Sequence, residues 1–250
     1  MKLGIRIHKR LPNVTIDVSF TCEAGQILAV VGPSGAGKTT ILRAIAGLEQ
    51  PDDGCVVFNN NPWFDRKRKI NVSPQKRKVG YVSQGYGLFP HLSVTKNIAF
   101  AASKKEMTGQ LMELFKISPL ADSRPDQISG GERQRVALAQ ALATEPNLML
   151  LDEPFSALDY KTKNALRNEL VSMKNRLGLP IIMVTHDLDD AIKIADQILP
   201  IEHGVFAPGW LPENLHYVAA SPYTENDIIM KPNAGSPLPF KLPVSARHYP

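Results

Sequence analysis

A glycine-rich segment between an apolar run and a helical pattern constrains the fold of this chain more than any other feature. The segment reads Gly32-Pro33-Ser34-Gly35-Ala36-Gly37-Lys38-Thr39 and fits the phosphate-loop pattern GxxxxGK[ST]. The apolar run Ile27–Val31 before it is typical of a buried parallel strand. Residues 40–47 after it are typical of a helix that ends at a glycine. This order predicts an α/β fold around a P-loop NTPase core with a mostly parallel sheet.

The loop sequence also predicts what the segment binds. Glycines allow successive backbone N–H groups to face one anion, and the helix that begins there adds the positive end of its dipole. Lys38 is expected to reach the outer phosphates of ATP, and the Thr39 hydroxyl is expected to bind Mg²⁺. An ordinary glycine-rich turn is the alternative, but the flanking strand and helix favour the phosphate loop. The predicted ATP-binding residues are Gly32, Pro33, Ser34, Gly35, Ala36, Gly37, Lys38, Thr39 and Thr40.

The alternation of apolar runs and helical patterns returns later in the chain. Residues 148–151 and 181–184 are candidate buried strands, and helical patterns follow them. Near the N-terminus, apolar and polar residues alternate with period two, which predicts an antiparallel β subdomain. Between about Tyr86 and Ala143 the strand patterns stop, which predicts an inserted helical subdomain over residues 86–143.

The texture of the sequence changes at about Pro208. The last 43 residues (250 − 207) hold 8 of the 20 prolines, and proline interrupts both helices and central strands. We therefore expect one α/β domain over residues 1–207 and a proline-rich tail over residues 208–250. We expect no further β-rich regulatory domain within a tail of this length.

Composition bounds the compartment and the partners. The chain has 250 residues and a net charge of +5, and it contains no run of 18 apolar residues that would predict a membrane span. Its start has charges where a signal peptide needs an apolar run, and Cys22 and Cys55 form no metal-binding or CxxC spacing. Basic clusters at residues 65–69 and 75–78 have no interleaved aromatic residues, so we expect a solvated surface and no nucleic-acid partner. These features favour a cytoplasmic location.

Two adjacent acids, Asp152 and Glu153, close the candidate strand at residues 148–151. A carboxylate at the end of a buried strand beside a phosphate loop can hold Mg²⁺. A second carboxylate next to it can polarise the water that attacks the phosphate. We therefore predict a metal role for Asp152 and a general-base role for Glu153. Acidic pairs are common, and it is the phosphate loop in the same chain that favours the catalytic interpretation.

A third motif, Ile128-Ser129-Gly130-Gly131-Glu132-Arg133-Gln134-Arg135, opens the last helical pattern of the insert. A serine and two glycines at a helix N-terminus can form a second phosphate site. The motif resembles the LSGGQ-type signature of ABC transporter ATPases and stands where that family places it, before the acidic strand. Glu132 replaces the more usual glutamine of the family.

The resemblance to ABC transporter ATPases covers residues 1 to about 206 and rests on five motifs in a fixed order. Gln84 is similar to the Q-loop glutamine, which senses Mg²⁺ and the transport subunit. Asp159, in the segment 156–159, is similar to the D-loop, which crosses between subunits. His186 is similar to the switch histidine, which contacts the terminal phosphate. The resemblance implies Glu153, His186 and Gln84 as catalytic residues and Thr39, Gln84 and Asp152 as metal ligands.

The resemblance also implies an assembly. Two such domains face head to tail in the family, so that two ATP molecules are shared between the subunits of a homodimer. The residues implied to act across the interface are Ser129, Gly130, Gly131, Glu132 and Asp159. Family members of this kind pair with integral-membrane permease subunits at the cytoplasmic face of the membrane, and indirectly with a solute-binding protein.

The role in transport and the solute follow from the same resemblance. The sequence is most similar to the oxyanion branch of importers. This resemblance implies molybdate or tungstate as the first candidate solute, then sulfate, with polyamine or iron after. Leu88, Phe89 and Leu92 resemble the surface that receives the coupling helix of the permease, although these residues are also suited to packing the helical insert. An exporter motor and a soluble ATP-gated dimerisation switch stay open as alternatives. Family members that act on DNA or ribosomes usually have long coiled-coil inserts or two motors, and this chain has neither.

One family feature is missing near the N-terminus. The family usually stacks an aromatic residue from the first strands on adenine, but the matching stretch here is Lys9-Arg10-Leu11-Pro12, and the first aromatic residue is Phe20. Leu11 offers only an apolar contact. The sequence therefore predicts weak selection of adenine over guanine.

Overall fold

One sheet of eleven strands organises the chain in the computed structural model, which describes residues 1–156 and 158–210. The strands are β1 Lys2–Arg10, β2 Thr15–Glu23, β3 Ile27–Val31, β4 Asp53–Phe58, β5 Asn61–Asp65, β6 Ile70–Asn71, β7 Val79–Val82, β8 Leu148–Asp152, β9 Ile181–Thr185, β10 Gln197–Glu202 and β11 Val205–Phe206. The helices are α1 Lys38–Ala46, α2 Pro74–Arg77, α3 Val94–Ala101, α4 Lys105–Leu114, α5 Gly130–Ala143, α6 Tyr160–Leu177 and α7 Leu188–Ile194.

The sheet has a parallel half and an antiparallel half, in the order β6-β5-β4-β1-β2-β11-β10-β3-β9-β8-β7. Strands β10, β3, β9, β8 and β7 pair in parallel, and β6, β5, β4, β1 and β2 pair antiparallel. The short strand β11 joins the halves, since it pairs antiparallel with β10 and parallel with β2. The predicted fold class, a parallel α/β core with an N-terminal antiparallel part, is confirmed.

Burial explains why the two halves have different sequence patterns. All five residues of β3, β8 and β9 are buried, because helices cover both faces of a parallel sheet. Along β3, Leu28 and Val30 pack with α1 and the antiparallel strands, whereas Ala29 and Val31 pack with α5, α6 and α7. Strand β2 instead alternates buried and exposed residues. The phosphate loop therefore follows a strand that is held by packing on both of its faces.

Residues 86–143 contain α3, α4 and α5, two short 3-10 turns and no strand. Helix α5 packs on α3 and α4 and also on α6 of the core. The division into an ATPase domain at residues 1–207 and an inserted subdomain stays a prediction. Most of the predicted tail, residues 211–250, lies outside the described residues. Among the helices that are described, none is both long and apolar enough to cross a membrane.

One predicted helix start differs from the structure. Helix α1 begins at Lys38, two residues before the predicted start, because Lys38 and Thr39 close the phosphate-loop motif and were assigned to it. Two large apolar residues of α4 and α6, Leu114 and Leu177, are 37% and 45% exposed. Both residues end their helices, where the apolar face runs past the core.

Candidate functional site

Four predicted site segments meet at the carboxyl edge of the parallel strands. The register pairs Val31 with Thr185, Asp152 with Val184, and Val82 with Leu151. The residues just beyond these strand ends include Gly32, His186, Glu153 and Gln84. The pairing therefore brings all four segments to one edge, which is where open α/β sheets bind their ligands.

The phosphate loop is built so that two of its positions accept only glycine. Gly32 has φ 152°, and a Cβ there would collide with the backbone oxygen of Ile201. Gly37 has φ 94°, and a Cβ there would lie 2.8 Å from the side chain of Ile16. Gly37 precedes α1 without a side-chain cap. The first N–H groups of α1, which lack intrahelical partners, are thus available to an anion.

Lys38 folds back onto the loop that precedes it. Its Nζ donates to the carbonyl oxygens of Gly32 at 2.7 Å and Pro33 at 2.9 Å. Burial lowers the pKa of Lys38, and the negative charges of Glu153 and Asp152 oppose this effect. A desolvated cation beside free backbone N–H groups suits the phosphates of a nucleotide.

Asp152 connects the phosphate loop to the neighbouring strand β7. Its Oδ1 accepts a hydrogen bond from Thr39 Oγ1 at 2.9 Å, and its Oδ2 accepts one from the Tyr81 hydroxyl at 3.2 Å. Burial raises the pKa of Asp152, and these two hydrogen bonds oppose the rise. A hydroxyl and a carboxylate are the hard oxygen ligands that Mg²⁺ prefers, so the donors present here fit that ion.

Tyr81 is a site residue that the sequence did not reveal. Burial, followed by the charge of Asp152, raises the pKa of the Tyr81 phenol, which therefore stays a donor at neutral pH. The interaction spans 71 residues of sequence. The short strand β7 that positions Tyr81 carried no strand signal of its own.

Glu153 and His186 form a pair at the same edge. Glu153 has φ 51°, which is uncommon for a residue with a side chain, and its N–H donates to the Val184 oxygen at 3.0 Å. Its Oε1 lies 2.9 Å from His186 Nδ1. Because an ionised carboxylate has no proton to give, Nδ1–H is the donor. The Glu153 side chain is 12% exposed and that of His186 is 56% exposed, so the acid lies inside and the imidazole outside.

Gln84 follows β7 and is exposed. Within the described residues its side chain makes no hydrogen bond, so its sensor and metal roles stay predictions. Two residues further on, Tyr86 has φ 66°, and the guanidinium of Arg133 lies 5.8 Å from the centroid of its ring. This cation–π contact joins the segment after Gln84 to helix α5.

The signature turn is capped by its own side chains. Ser129 Oγ accepts a hydrogen bond from the Glu132 N–H at 3.3 Å, and Glu132 Oε2 accepts one from Ser129 N–H and one from Ser129 Oγ, both at 2.8 Å. These contacts form a capping box at the start of α5. Gly131 is buried there, and a Cβ would collide with Thr162 of α6.

Asp159 caps helix α6. One of its carboxylate oxygens accepts hydrogen bonds from the N–H groups of Lys161 and Thr162, both at 3.1 Å. Because Gly131 packs on Thr162, the signature and the predicted D-loop are neighbours in one subunit; Ala157 of that loop lies outside the described residues. In the part of the chain that is described, no hydrogen bond or ion pair joins Ser129, Glu132 or Asp159 to the phosphate loop.

An ion-pair network next to His186 was also missed by sequence reasoning. Asp187, Asp189 and Asp190 have carboxylate oxygens close enough to hold a cation. Lys163, Arg167 and Lys193 neutralise them, with contacts that include Lys163 to Asp187 at 2.7 Å and Arg167 to Asp189 at 2.8 Å. The cluster therefore fastens α7 to α6 and needs no metal.

The chain is similar to a large group of known proteins. Residues 16–156 match a family model described as ABC transporter. The sulfate/thiosulfate import ATP-binding protein of Synechococcus elongatus is 42% identical over 215 residues, which cover 83% of this chain and 61% of that protein. The molybdenum import ATP-binding protein of Pseudomonas savastanoi pv. phaseolicola is 40% identical over 220 residues, with coverages of 85% and 61%. The Fe(3+) ions import ATP-binding protein of Haemophilus influenzae is 43% identical over 213 residues, with coverages of 82% and 59%.

A solved structure gives the same result. The ATP-binding cassette MJ0796, in a dimeric post-hydrolysis state bound to ADP and Pi, aligns with a TM-score of 0.69 and 27% identity. The alignment covers 82% of this chain and 96% of that one. By contrast, the chain spans only 59% to 61% of the length of the three import proteins.

Proposed function

The chain belongs to the ABC transporter family, and from this premise we propose that it is the ATP-hydrolysing subunit of an importer. The observation that carries the proposal is the convergence at one sheet edge of the open phosphate loop, the Thr39–Asp152 pair and the Glu153–His186 pair. Each of these groups has a separate part in phosphoryl transfer.

The proposed chemistry assigns binding to the loop and proton transfer to the acid. The N–H groups of the loop and Lys38 bind the phosphates of ATP. Thr39 and Asp152 would hold Mg²⁺, which when bound offsets the charge of the phosphates. The hydrogen bond from its backbone N–H fixes Glu153 to β9. Its side chain orients a water molecule and accepts a proton from that water as the water attacks the terminal phosphate. His186 donates from Nδ1 to Glu153, and when Nε2 also carries a proton it can donate to a phosphate oxygen.

We propose that two copies face each other head to tail with ATP between them. Two facts support this arrangement. The signature turn does not contact the phosphate loop of its own described chain, and the MJ0796 cassette is dimeric with ADP and Pi bound. Each ATP would lie between the phosphate loop of one subunit and Ser129, Gly131 and Asp159 of the other.

An exposed aromatic cluster supports docking to a membrane permease. Phe100 is 72% exposed, and its ring lies 4.7 Å from that of Phe89, which also contacts His91. The Asn97 side chain fixes the preceding loop by hydrogen bonds to the backbone of Phe89, Leu92 and Ser93 at 2.8 to 3.1 Å. An exposed apolar patch on a rigid loop suits an amphipathic helix of a partner.

The sequence predicted a docking groove from Leu88, Phe89 and Leu92, and these three residues are half-buried in the structure. Phe100, which is exposed, was not part of that prediction. Docking of this kind would hold the chain at the cytoplasmic face of the membrane, with a solute-binding protein acting from the other side.

The solute we propose is an oxyanion, with molybdate or tungstate first and sulfate next. Relatives named for sulfate/thiosulfate import and for molybdenum import match this chain at 42% and 40% identity, so their similarity does not rank the two. The relative named for Fe(3+) import, at 43% identity, keeps iron as a third candidate.

The test is co-purification with the membrane proteins encoded in its own operon, followed by ATPase assays in vesicles with the solute-binding protein. We expect a stable complex whose turnover rises with one oxyanion among molybdate, tungstate and sulfate. Phe100→Ser should reduce recovery of the permease, whereas Tyr160→Ser, which changes an aromatic residue that is 73% exposed elsewhere, should not. An active ATPase that binds no membrane protein would contradict the importer role and favour a soluble switch.

A further inference from the structure

The hydroxyl group of Ser129 in the signature turn already has a partner. Glu132 Oε2 lies 2.8 Å from Ser129 Oγ and 2.8 Å from Ser129 N. An ionised carboxylate only accepts hydrogen bonds, so the hydrogen between Oγ and Oε2 is that of the hydroxyl. A hydroxyl has one proton to donate. While this bond stands, Ser129 has no proton for a phosphate oxygen.

Glu132 also brings a negative charge to the place where a phosphate would bind. The hydrogen bonds from the Ser129 N–H and then from its hydroxyl lower the pKa of Glu132, so the carboxylate is charged at neutral pH. The charge of Arg135 adds to this lowering of the Glu132 pKa, although both basic side chains that follow Glu132 on α5 also have other partners. Arg135 pairs with Glu169 at 3.2 Å, and Arg133 donates to the Pro125 oxygen and lies against the Tyr86 ring.

We propose that Glu132 is an internal competitor for the phosphate-binding groups of the signature turn, and that it sets the ATP concentration at which two subunits join. In a free subunit the carboxylate holds the N–H and the hydroxyl of Ser129. The terminal phosphate of an ATP bound to the other subunit must displace it and overcome its charge. The inference rests on the proposed ATP-driven head-to-tail dimer and adds to it a residue that regulates assembly.

Glutamine at position 132 separates this role from simple helix capping. A glutamine side chain has nearly the same shape, and its amide oxygen can accept a hydrogen bond from the Ser129 N–H, so the capping box survives. The negative charge and the strong acceptor for the hydroxyl are lost. Glu132→Gln should therefore leave the stability of the subunit nearly unchanged while it frees the signature for phosphate.

The experiment measures ATP-driven dimerisation by sedimentation in a Glu153→Gln background, with and without Glu132→Gln. The second substitution should lower the ATP concentration at half-dimerisation on the order of fivefold at low salt, from the interaction of two charges about 4 Å apart in water. The difference should shrink at high salt, because ions screen exposed charges. Binding of a fluorescent ATP analogue to the dilute monomer should not change, because the phosphate loop is untouched.

Ser129→Ala in the same background tests whether the hydroxyl transmits the effect. Without the hydroxyl, Glu132→Gln should give a smaller gain, and an undiminished gain would overturn the competition for its proton. If the Glu153→Gln protein dimerises with ATP but Glu132→Gln leaves the midpoint unchanged or raises it, the inference is wrong and the proposed dimer stands. If the Glu153→Gln protein binds ATP and never dimerises, the head-to-tail dimer fails, and the inference fails with it.

Discussion

Helices α1 and α5 both follow a turn that contains serine and glycine. The N–H groups in the first turn of α1 have no side-chain cap, whereas those of α5 do. Helix α1 follows Gly37, which provides no side-chain cap, and its first turn has no partner within the helix. Helix α5 follows Ser129, which forms a capping box with Glu132. The sheet fixes the phosphate loop before α1, through Ile16 and Ile201. The signature turn before α5 is fixed by its own side chains.

In the proposed head-to-tail dimer, the difference follows from which subunit carries the ligand of each turn. A turn whose ligand binds within the same subunit can leave its donors open, because the surrounding sheet holds it rigid. A turn that waits for a ligand carried by another molecule spends much of its time without one. A side-chain cap contributes about 1 kcal/mol to the stability of such a helix. The cap must then be displaced when the ligand arrives.

The largest expected effect leaves both turns intact and removes only the base. Glu153→Gln should lower turnover by roughly 10² to 10⁴-fold, the usual contribution of a general base, while ATP binding is kept and the dimer accumulates. Single-turnover hydrolysis and sedimentation with ATP measure the two effects. Glu113→Gln, an exposed position on α4, is the matched control. Hydrolysis at the unmodified rate would show that Glu153 is not the base.

Lys38→Ala changes the phosphate loop before α1 and leaves the signature turn before α5 unchanged. Loss of charge-assisted hydrogen bonds to the phosphates should weaken ATP binding on the order of 100-fold. The thermal midpoint without nucleotide should change little, since within the described residues the hydrogen bonds of the Lys38 side chain go to the carbonyls of Gly32 and Pro33. Nucleotide titration and a melting curve test the pair of outcomes, with exposed Lys67→Ala as the control. Unchanged ATP affinity would remove Lys38 from the site.

Ser129→Ala breaks the second turn and spares the first. It should destabilise the subunit by about 1 kcal/mol, from loss of the cap, and should raise the ATP concentration needed for dimerisation without weakening ATP binding to the monomer. Ser129→Thr, which keeps a hydroxyl cap, should recover most of the stability. Denaturant unfolding and sedimentation measure the two quantities. Normal dimerisation of the alanine variant would place the second phosphate site elsewhere.

Leu11→Tyr sharpens the first site with the smallest expected effect. A ring that stacks on the base should strengthen nucleotide binding by about 1 kcal/mol. The unmodified protein should bind ATP and GTP within a few-fold of each other, about 1 kcal/mol or less. Competition titrations with both nucleotides measure this, and Leu48→Tyr, at a position 47% exposed, controls for an added ring. A large ATP preference of the unmodified protein would mean that another residue reads the base.

The fold class and the family were predictable because their sequence signals occupy consecutive residues. The phosphate loop and the Asp152–Glu153 pair are each one short run of residues, and apolar runs predicted the parallel strands β3, β8 and β9. The fold class and the family are confirmed on that basis. The capping box could also have been predicted, because Ser129 and Glu132 have the three-residue spacing of that motif. From the sequence, Glu132 was instead interpreted only as a replacement for glutamine.

The remaining features depend on contacts between residues far apart in the sequence. Tyr81 meets Asp152 only because β7 and β8 are adjacent. Arg167 and Asp190 pair only because α6 and α7 pack together. The antiparallel strands β4 to β6 were not predicted, since short edge strands carry little periodic signal and depend on their neighbours. Such contacts need the fold before they become visible.

The bond from Lys38 to the carbonyls of Gly32 and Pro33 has a consequence for the timing of the cycle. Because the ammonium fills the turn before nucleotide arrives, the loop need not fold around its ligand. Arrival of ATP exchanges the hydrogen-bond partners of one side chain and leaves the backbone of the loop in place. We expect nucleotide to enter and leave each subunit rapidly. The slow event should be the encounter of two subunits, and in solution its rate should scale with protein concentration.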